Sequence, residues 1–334
     1  MTKQPRTASS VIYCTYFDKG FLLKGLALHS SLIRYNPDAK LWILAFDRYT
    51  EGILNKMKLN GVTVVPLRDF EDKELLAVKN TRHLVEYYWT CTPSWILHVL
   101  KKSPGVRNVV YLDADLYFYS DPDNEVAEIG DKSLLVVEHR FPEGREGMAV
   151  NAGKFNVAFN VFKNDKVGEV CLKRWRAQCL DWCYWKPEDG KLGDQMYLNE
   201  WPNLYDKDLV ISKNVGVDVA PWNVTQYKIT KRKSSVYVDQ DRLVCYHFHQ
   251  FRILGPNHFN RVLGYTISKE VIEYIYEPYE EELRKQYDRV REFDSAFSIE
   301  AVRQEVGMLL RHKLAKYFGP VYWRIKSSLK WSKN

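Results

Sequence analysis

Residues 109–122 read VVYLDADLYFYSDP, and this stretch decides the fold. The apolar run Val109-Val110-Tyr111-Leu112 has the composition of a buried strand. It then meets two carboxylates, Asp113 and Asp115, separated only by Ala114. In an open α/β sheet, ligands bind beyond the carboxyl ends of the strands, and period-two alternation puts both side chains on one side. Two like charges so close raise each other's pKa unless a cation lies between them. Mn²⁺ or Mg²⁺ resolves this, because such ions take oxygen ligands, often one or two carboxylates with substrate phosphates completing the shell. The plain alternative is a solvated strand end with Asp115 capping a turn.

Upstream, VIYCTYF (11–17) reads as a first strand, and GFLLKGLALHSSLIRYNPD (20–38) as a helix stopped at Asn36-Pro37. KLWILAFD (40–47) is a second strand, EGILNKMKLNG (51–61) a helix, and VTVVPL (62–67) a third strand. That alternation predicts a parallel sheet with crossover helices. Residues 79–102 read as one long helix kinked at Pro93, and RNVVYLDADLYFY (107–119) as the fourth strand. SLLVVEHR and KFNVAFNVF are further strands, and DKVGEVCLKRWRAQCLDWCYW is an amphipathic helix. Beyond residue 190 the strands are short, and from about 266 the chain is helical and charged. The fold class is therefore α/β: a catalytic-size domain over 1–265 and a helical appendage over 266–334.

The 334 residues are 46% hydrophobic, enough for a large core. No run approaches the roughly 20 apolar residues of a membrane span. The N-terminus, MTKQPRTASSVIYCTYF, is polar too early for a secretory signal, so a cytoplasmic protein is expected. The six cysteines form no CxxC pair. Cys179 and Cys183, one helical turn apart, are read as buried small hydrophobes rather than zinc ligands. A net charge of +7 is too mild to argue for nucleic acid.

A DxD after a strand also occurs in phosphatases of the haloacid dehalogenase type. Those want Thr or Val two residues on and the motif in the first strand, whereas here Leu116 follows and the motif comes late. The ordered set VIYCTYF, YLDADLYF, FNVAFN, GDQMYLNEW and YHFHQF resembles instead the GT-A glycosyltransferases, most closely the family 8 type. The resemblance covers about residues 10–255. It implies a mixed Rossmann-like sheet flanked by helices, a nucleotide-sugar donor, a UDP-linked one first, and a glycan or lipid-linked acceptor, with retention at the transferred sugar.

By the same resemblance, Asp113, Asp115 and His247 would ligate the metal, with Mn²⁺ favoured over Mg²⁺ by the imidazole. A satisfied core histidine is the bland reading of His247. His249 could touch the diphosphate or exchange roles with His247. Asp194 and Gln195 would face the donor sugar, although Asp194 also reads as a helix N-cap. Tyr16 and Phe17 would pack around the base, read by backbone amides and an early acidic residue. Asp47 would meet base or ribose, or be a solvated turn residue. Lys79 and Arg82 open the presumed long helix, and Arg82 is the chosen cation over the diphosphate. Asn156 would contact the donor sugar, but Val157-Ala158 departs from the family's small-residue-and-Gly pattern, with Asn160 a possible substitute. Trp222 and Asn223, in VAPWNV, read as an acceptor-side loop or as core.

From Arg311 onward the tail has no acidic residue and interleaves basic with aromatic side chains. That pattern suits an anionic membrane surface, or a helix docked on the domain. Two other functions stay open. One is a sugar-nucleotide pyrophosphorylase, for which CTYFDKGFLLKG makes a poor phosphate loop. The other is a non-catalytic sugar- or membrane-binding protein on a degenerate GT-A fold.

Overall fold

A computed structural model describes residues 11–145 and 147–300. The expected first half is present: β1 (Val11–Phe17), α1 (Leu22–Tyr35), β2 (Lys40–Ala45), α2 (Arg48–Met57) and β3 (Val62–Pro66). β4 (Asn108–Leu112) returns to the other side of β1, and all four strands are parallel. β4 is buried along its whole length, which is why it reads as a continuous apolar run.

Beyond these four parallel strands the sheet changes direction, forming the mixed sheet that the resemblance implies. β6 (Leu134–Glu138), β7 (Phe155–Lys163) and β8 (Leu209–Ile211) complete the order β3-β2-β1-β4-β7-β6-β8. β7 is antiparallel to both β4 and β6, while β8 is parallel to β6. The sheet is therefore mixed.

The expected single strand over 107–119 is also broken. It stops at Leu112, turns through a bond from the Leu116 N–H to the Asp113 carbonyl (3.1 Å), and resumes as β5 (Leu116–Phe118). β5 leaves the main sheet. Beyond a small hairpin sheet of β9 (Ile229–Arg232), β10 (Ser235–Val238) and β11 (Asp241–Arg242), the chain returns as β12 (Cys245–His247), which pairs antiparallel with β5. Asp113 and Asp115 thus converge through a turn, not through strand alternation.

The helix expected over 79–102 starts only at Leu84 (Leu84–Lys102), and Lys79 instead ends a separate helix, Lys73–Lys79. Glu86 accepts the His83 N–H at 2.6 Å, the capping box that starts the second helix. One face of the sheet is covered by Leu84–Lys102 and Lys166–Asp181, the other by α1, α2 and the helix Glu277–Phe293.

Tyr276, Tyr279, Leu283 and Val290 are buried in the core shared with α1, and the Tyr279 ring stacks on Phe248 at 3.7 Å. At roughly 1.5–3 kcal/mol per large apolar side chain buried, these contacts hold Glu277–Phe293 against the core. All six cysteines are free and buried. Among the described residues no helix is long and apolar enough to cross a membrane. The basic aromatic tail, 301–334, lies outside the described residues.

Candidate metal centre

β1, β2 and β3 step outward in one direction and β4 lies on the other side of β1. The crevice beyond the carboxyl ends of β1 and β4 is therefore the switch point of the sheet. The Asp113–Asp115 turn sits there. The Asp113 N–H is tied to the Ala158 carbonyl (3.0 Å), and its Oδ1 accepts from the Tyr111 hydroxyl (2.9 Å). The Asp115 carbonyl accepts the Phe248 N–H at 3.0 Å, which joins the turn to β12.

His247 arrives on β12. Its Nε2 lies 3.3 Å from Asp115 Oδ1 and 3.9 Å from Asp113 Oδ2. One ligand atom from each of Asp113, Asp115 and His247 falls within 4.8 Å of the others. On the far side of the ring, His247 Nδ1 meets Asp218 Oδ1 at 3.1 Å. Asp218 is fully buried and adopts a left-handed backbone, φ 53°. A carboxylate on Nδ1 fixes the ring and turns Nε2 toward the two aspartates, the usual arrangement behind a metal-bound histidine. Two carboxylates and one imidazole form a donor set that fits Mn²⁺ or Mg²⁺.

The electrostatics follow from crowded charge. Burial pushes the Asp113 carboxyl up to about 6, with Asp115 adding to the rise. Burial also works against charge on Asp115, but Lys24 and then His247 outweigh it and hold that carboxyl well below the usual range. Burial alone would neutralise His247, and the Asp115 and Asp218 carboxylates raise it well above the ordinary imidazole value instead. Asp194 is pushed up to about 7, first by burial, with Asp113 also contributing.

Asp194 is therefore part of the same neighbourhood. Thr92 beside its carboxyl works against that rise, and the Thr92 hydroxyl is 3.0 Å from that of Tyr16. Its backbone carbonyl accepts the Trp175 indole N–H at 2.8 Å. It stands at the head of the short helix Gln195–Glu200 but makes no side-chain cap bond there, so capping does not account for the carboxylate. Gln195 donates to the Ala152 carbonyl at 2.7 Å. His249 lies beside the cluster, its ring 5.4 Å from that of Trp222, and burial followed by the nearby His247 lowers it to about 4.

Other expected residues do different work. Tyr16 and Phe17 project to opposite faces of the sheet, so they do not flank one ligand. Phe17 is buried against Gly25, where an added Cβ would lie 2.2 Å from its ring. Asp47 caps α2, accepting the Thr50 N–H (2.7 Å) and hydroxyl (2.9 Å) and the Lys19 N–H (2.6 Å). Arg82 does not open a helix: it sits in the connector, buried, and donates to the Leu180 carbonyl (3.1 Å), the Asp181 carbonyl (3.3 Å) and the Tyr184 hydroxyl. Lys79 ends the preceding helix and pairs with Glu71 at 2.5 Å.

Asn156 is turned inward as well, accepting the Ala158 N–H (2.7 Å) and meeting His139 Nε2 (3.1 Å). Asn160 donates to the Val157 carbonyl at 3.0 Å. Ala158 needs no positive φ here, so its departure from glycine costs the backbone nothing. Trp222 and Asn223 are core residues, both donating to the His139 carbonyl (2.9 and 3.0 Å).

Asp218, Thr92 and Lys24 were missed. Lys24 reaches Asp115 Oδ2 at 3.4 Å from the first turn of α1. Its one signal in the sequence was a lone charge inside the apolar run FLLKGLAL.

No family model matches the chain. The uncharacterized proteins YfnF and YfnD of Bacillus subtilis (strain 168) are each 31% identical to it. The YfnF match spans 293 residues, 86% of this chain and 96% of YfnF. The YfnD match spans 286 residues, 85% of this chain and 92% of YfnD. The chain belongs to the YfnF and YfnD family. Among solved structures, the galactosyltransferase LgtC in complex with donor and acceptor sugar analogues superposes with a TM-score of 0.51 at 14% identity. That superposition covers 82% of this chain and 95% of LgtC. This YfnF-like chain has the GT-A fold.

Proposed function

We propose that the chain is a metal-dependent glycosyltransferase that moves a sugar from a nucleotide-sugar donor, UDP-linked in the first instance, to a glycan or lipid-linked acceptor. The carrying observation is the Asp113–Asp115–His247 constellation, three ligand atoms within 4.8 Å, at the switch point of a GT-A sheet.

Asp113, Asp115 and His247 hold the metal, with Mn²⁺ preferred to Mg²⁺ because one donor is an imidazole. When bound, a divalent ion supplies Lewis-acid neutralisation of the charge that grows on the leaving diphosphate. Asp218 keeps His247 in the tautomer whose Nε2 faces the carboxylates. Asp194, at about 7, is poised between charged and neutral forms near physiological pH, so its carboxyl can accept from or donate to a donor-sugar hydroxyl. Thr92 orients that carboxyl. The acceptor hydroxyl then attacks the anomeric carbon as the bond to the diphosphate breaks, and positioning supplies much of the rate.

The test is release of UDP from a panel of UDP-sugars by the purified chain in Mn²⁺ or in EDTA. Release that needs Mn²⁺ and is lost in Asp115→Ala supports the reading. Binding without turnover would favour a degenerate sugar-binding protein. Nucleoside triphosphate formed from a nucleotide sugar and pyrophosphate would favour a pyrophosphorylase.

A further inference from the structure

A diphosphate needs a cation in addition to the metal it shares, and the side chain that the sequence nominated is engaged elsewhere. Arg82 directs its donors at two main-chain carbonyls and a tyrosine hydroxyl. Lys24 behaves differently. Its side chain is 8% exposed, in the first turn of α1, which follows directly on the crevice end of β1. Its ammonium reaches Asp115 Oδ2 at 3.4 Å and sits 4.5 Å from the centre of the Phe21 ring.

Both contacts are weak for a buried ammonium. Charge-assisted bonds close to about 2.7–2.9 Å, and other ion pairs in this molecule do so: Arg34–Glu282 is 2.6 Å and Arg261–Glu280 is 2.6 Å. An ammonium carries three N–H donors, and among the described residues Lys24 uses one of them, at long range. Burying such a group costs several kcal/mol unless its donors are satisfied. A lysine kept there solely as counter-ion to Asp115 would be expected to close on it. One that stands back, with donors to spare at the edge of a metal centre, is built for further oxygen acceptors.

We propose that Lys24 grips the donor diphosphate, a role that rests on the donor-site reading above. It bridges Asp115 and the phosphate oxygens, so the negative charge of the carboxylate turn and that of the ligand share one fixed cation. Lys24 is a binding residue by this assignment, not a proton carrier.

The test is calorimetric titration of the full chain with UDP and, separately, with uridine, in Mn²⁺, for wild type, Lys24→Met and Lys24→Arg. Mn²⁺ binding to the nucleotide-free chain is measured alongside, and circular dichroism checks the fold. Lys24→Met is expected to weaken UDP by roughly 10- to 100-fold, the range of a hydrogen bond to a charged group. Uridine affinity should be unchanged and Mn²⁺ affinity should not fall. Lys24→Arg should restore part of the UDP affinity. A UDP-to-uridine affinity ratio equal to wild type in Lys24→Met overturns the assignment, and so does a parallel loss of Mn²⁺ and UDP, which would mark Lys24 as a support for Asp115. A wild-type chain that binds no UDP in Mn²⁺ sinks the donor reading itself, and this assignment with it.

Discussion

Two groups of buried or half-buried carboxylates in this molecule are treated in opposite ways. Away from the crevice, each is matched with donors. Glu282 faces Arg34 (2.6 Å) and Gln286 (2.7 Å), Glu280 faces Arg261 (2.6 and 3.1 Å), and Glu125 faces Ser212 (2.5 Å) and Asn214 (3.1 Å). At the carboxyl ends of β1 and β4, Asp113, Asp115 and Asp194 crowd together with Lys24 and His247 at longer range. A fold that can neutralise a buried charge locally, and does so elsewhere, leaves an excess in one crevice. Crowded carboxylates repel one another unless a cation lies between them, and the longer contacts there leave room for one.

The strongest way to break this contrast is Asp115→Ala. Metal-dependent UDP release should fall below detection, and the Mn²⁺-induced rise in melting temperature should vanish; a shift that persists would mean the excess charge serves something else. Next is Asp194→Asn, expected to cost on the order of 10²–10³-fold in turnover, as for loss of a polar group aimed at the reacting centre. It carries a second, opposite sign. Because the folded carboxyl titrates near 7, above its ordinary value, Asp194 contributes stability at low pH that is lost as pH rises through that value. In EDTA the asparagine variant should therefore melt higher than wild type at pH 8–9, with the gap closing toward pH 4–5. A variant less stable at both ends would place Asp194 among the matched carboxylates.

Asp218→Asn sharpens the contrast from the second layer. It should lower Mn²⁺ affinity by roughly 10- to 100-fold while the fold is kept, measured by titration with circular dichroism as control. The smallest functional effect belongs to the matched group. Arg34→Ala should cost about 1–3 kcal/mol in denaturant unfolding and leave the Mn²⁺-induced shift intact; loss of that shift would erase the distinction between the two groups.

The parts of this contrast that depend on local pattern could be read directly. An apolar strand running into DAD was enough to nominate Asp113 and Asp115, because strand composition and carboxylate chemistry are local signals, whereas His247 in YHFHQF came from the resemblance. The mixed direction of the sheet came from the resemblance and not from the runs themselves, since an apolar run fits either a parallel or an antiparallel neighbour. Arg82 and Lys79 were misplaced because the helix start at His83 depends on Glu86 closing a capping box, and residue order alone did not separate that start from a continuous helix. Phe17 was assigned to a ligand, and Trp222 left open between a loop and the core, because an aromatic ring reads the same whether it packs on a ligand or inside the protein. Asp218 and Lys24 lie 29 and 91 residues from the partners they meet, and such pairings belong to the tertiary fold.

The pairing of β5 with β12, backed by Tyr279 on Phe248, also sets an order of events during synthesis. The acidic turn is made directly after β4, yet its histidine is held in place by a strand and a helix that follow much later in the chain. A growing polypeptide therefore carries its acidic turn long before His247 can join it, and the three side chains come together only after the helix behind β12 has been made.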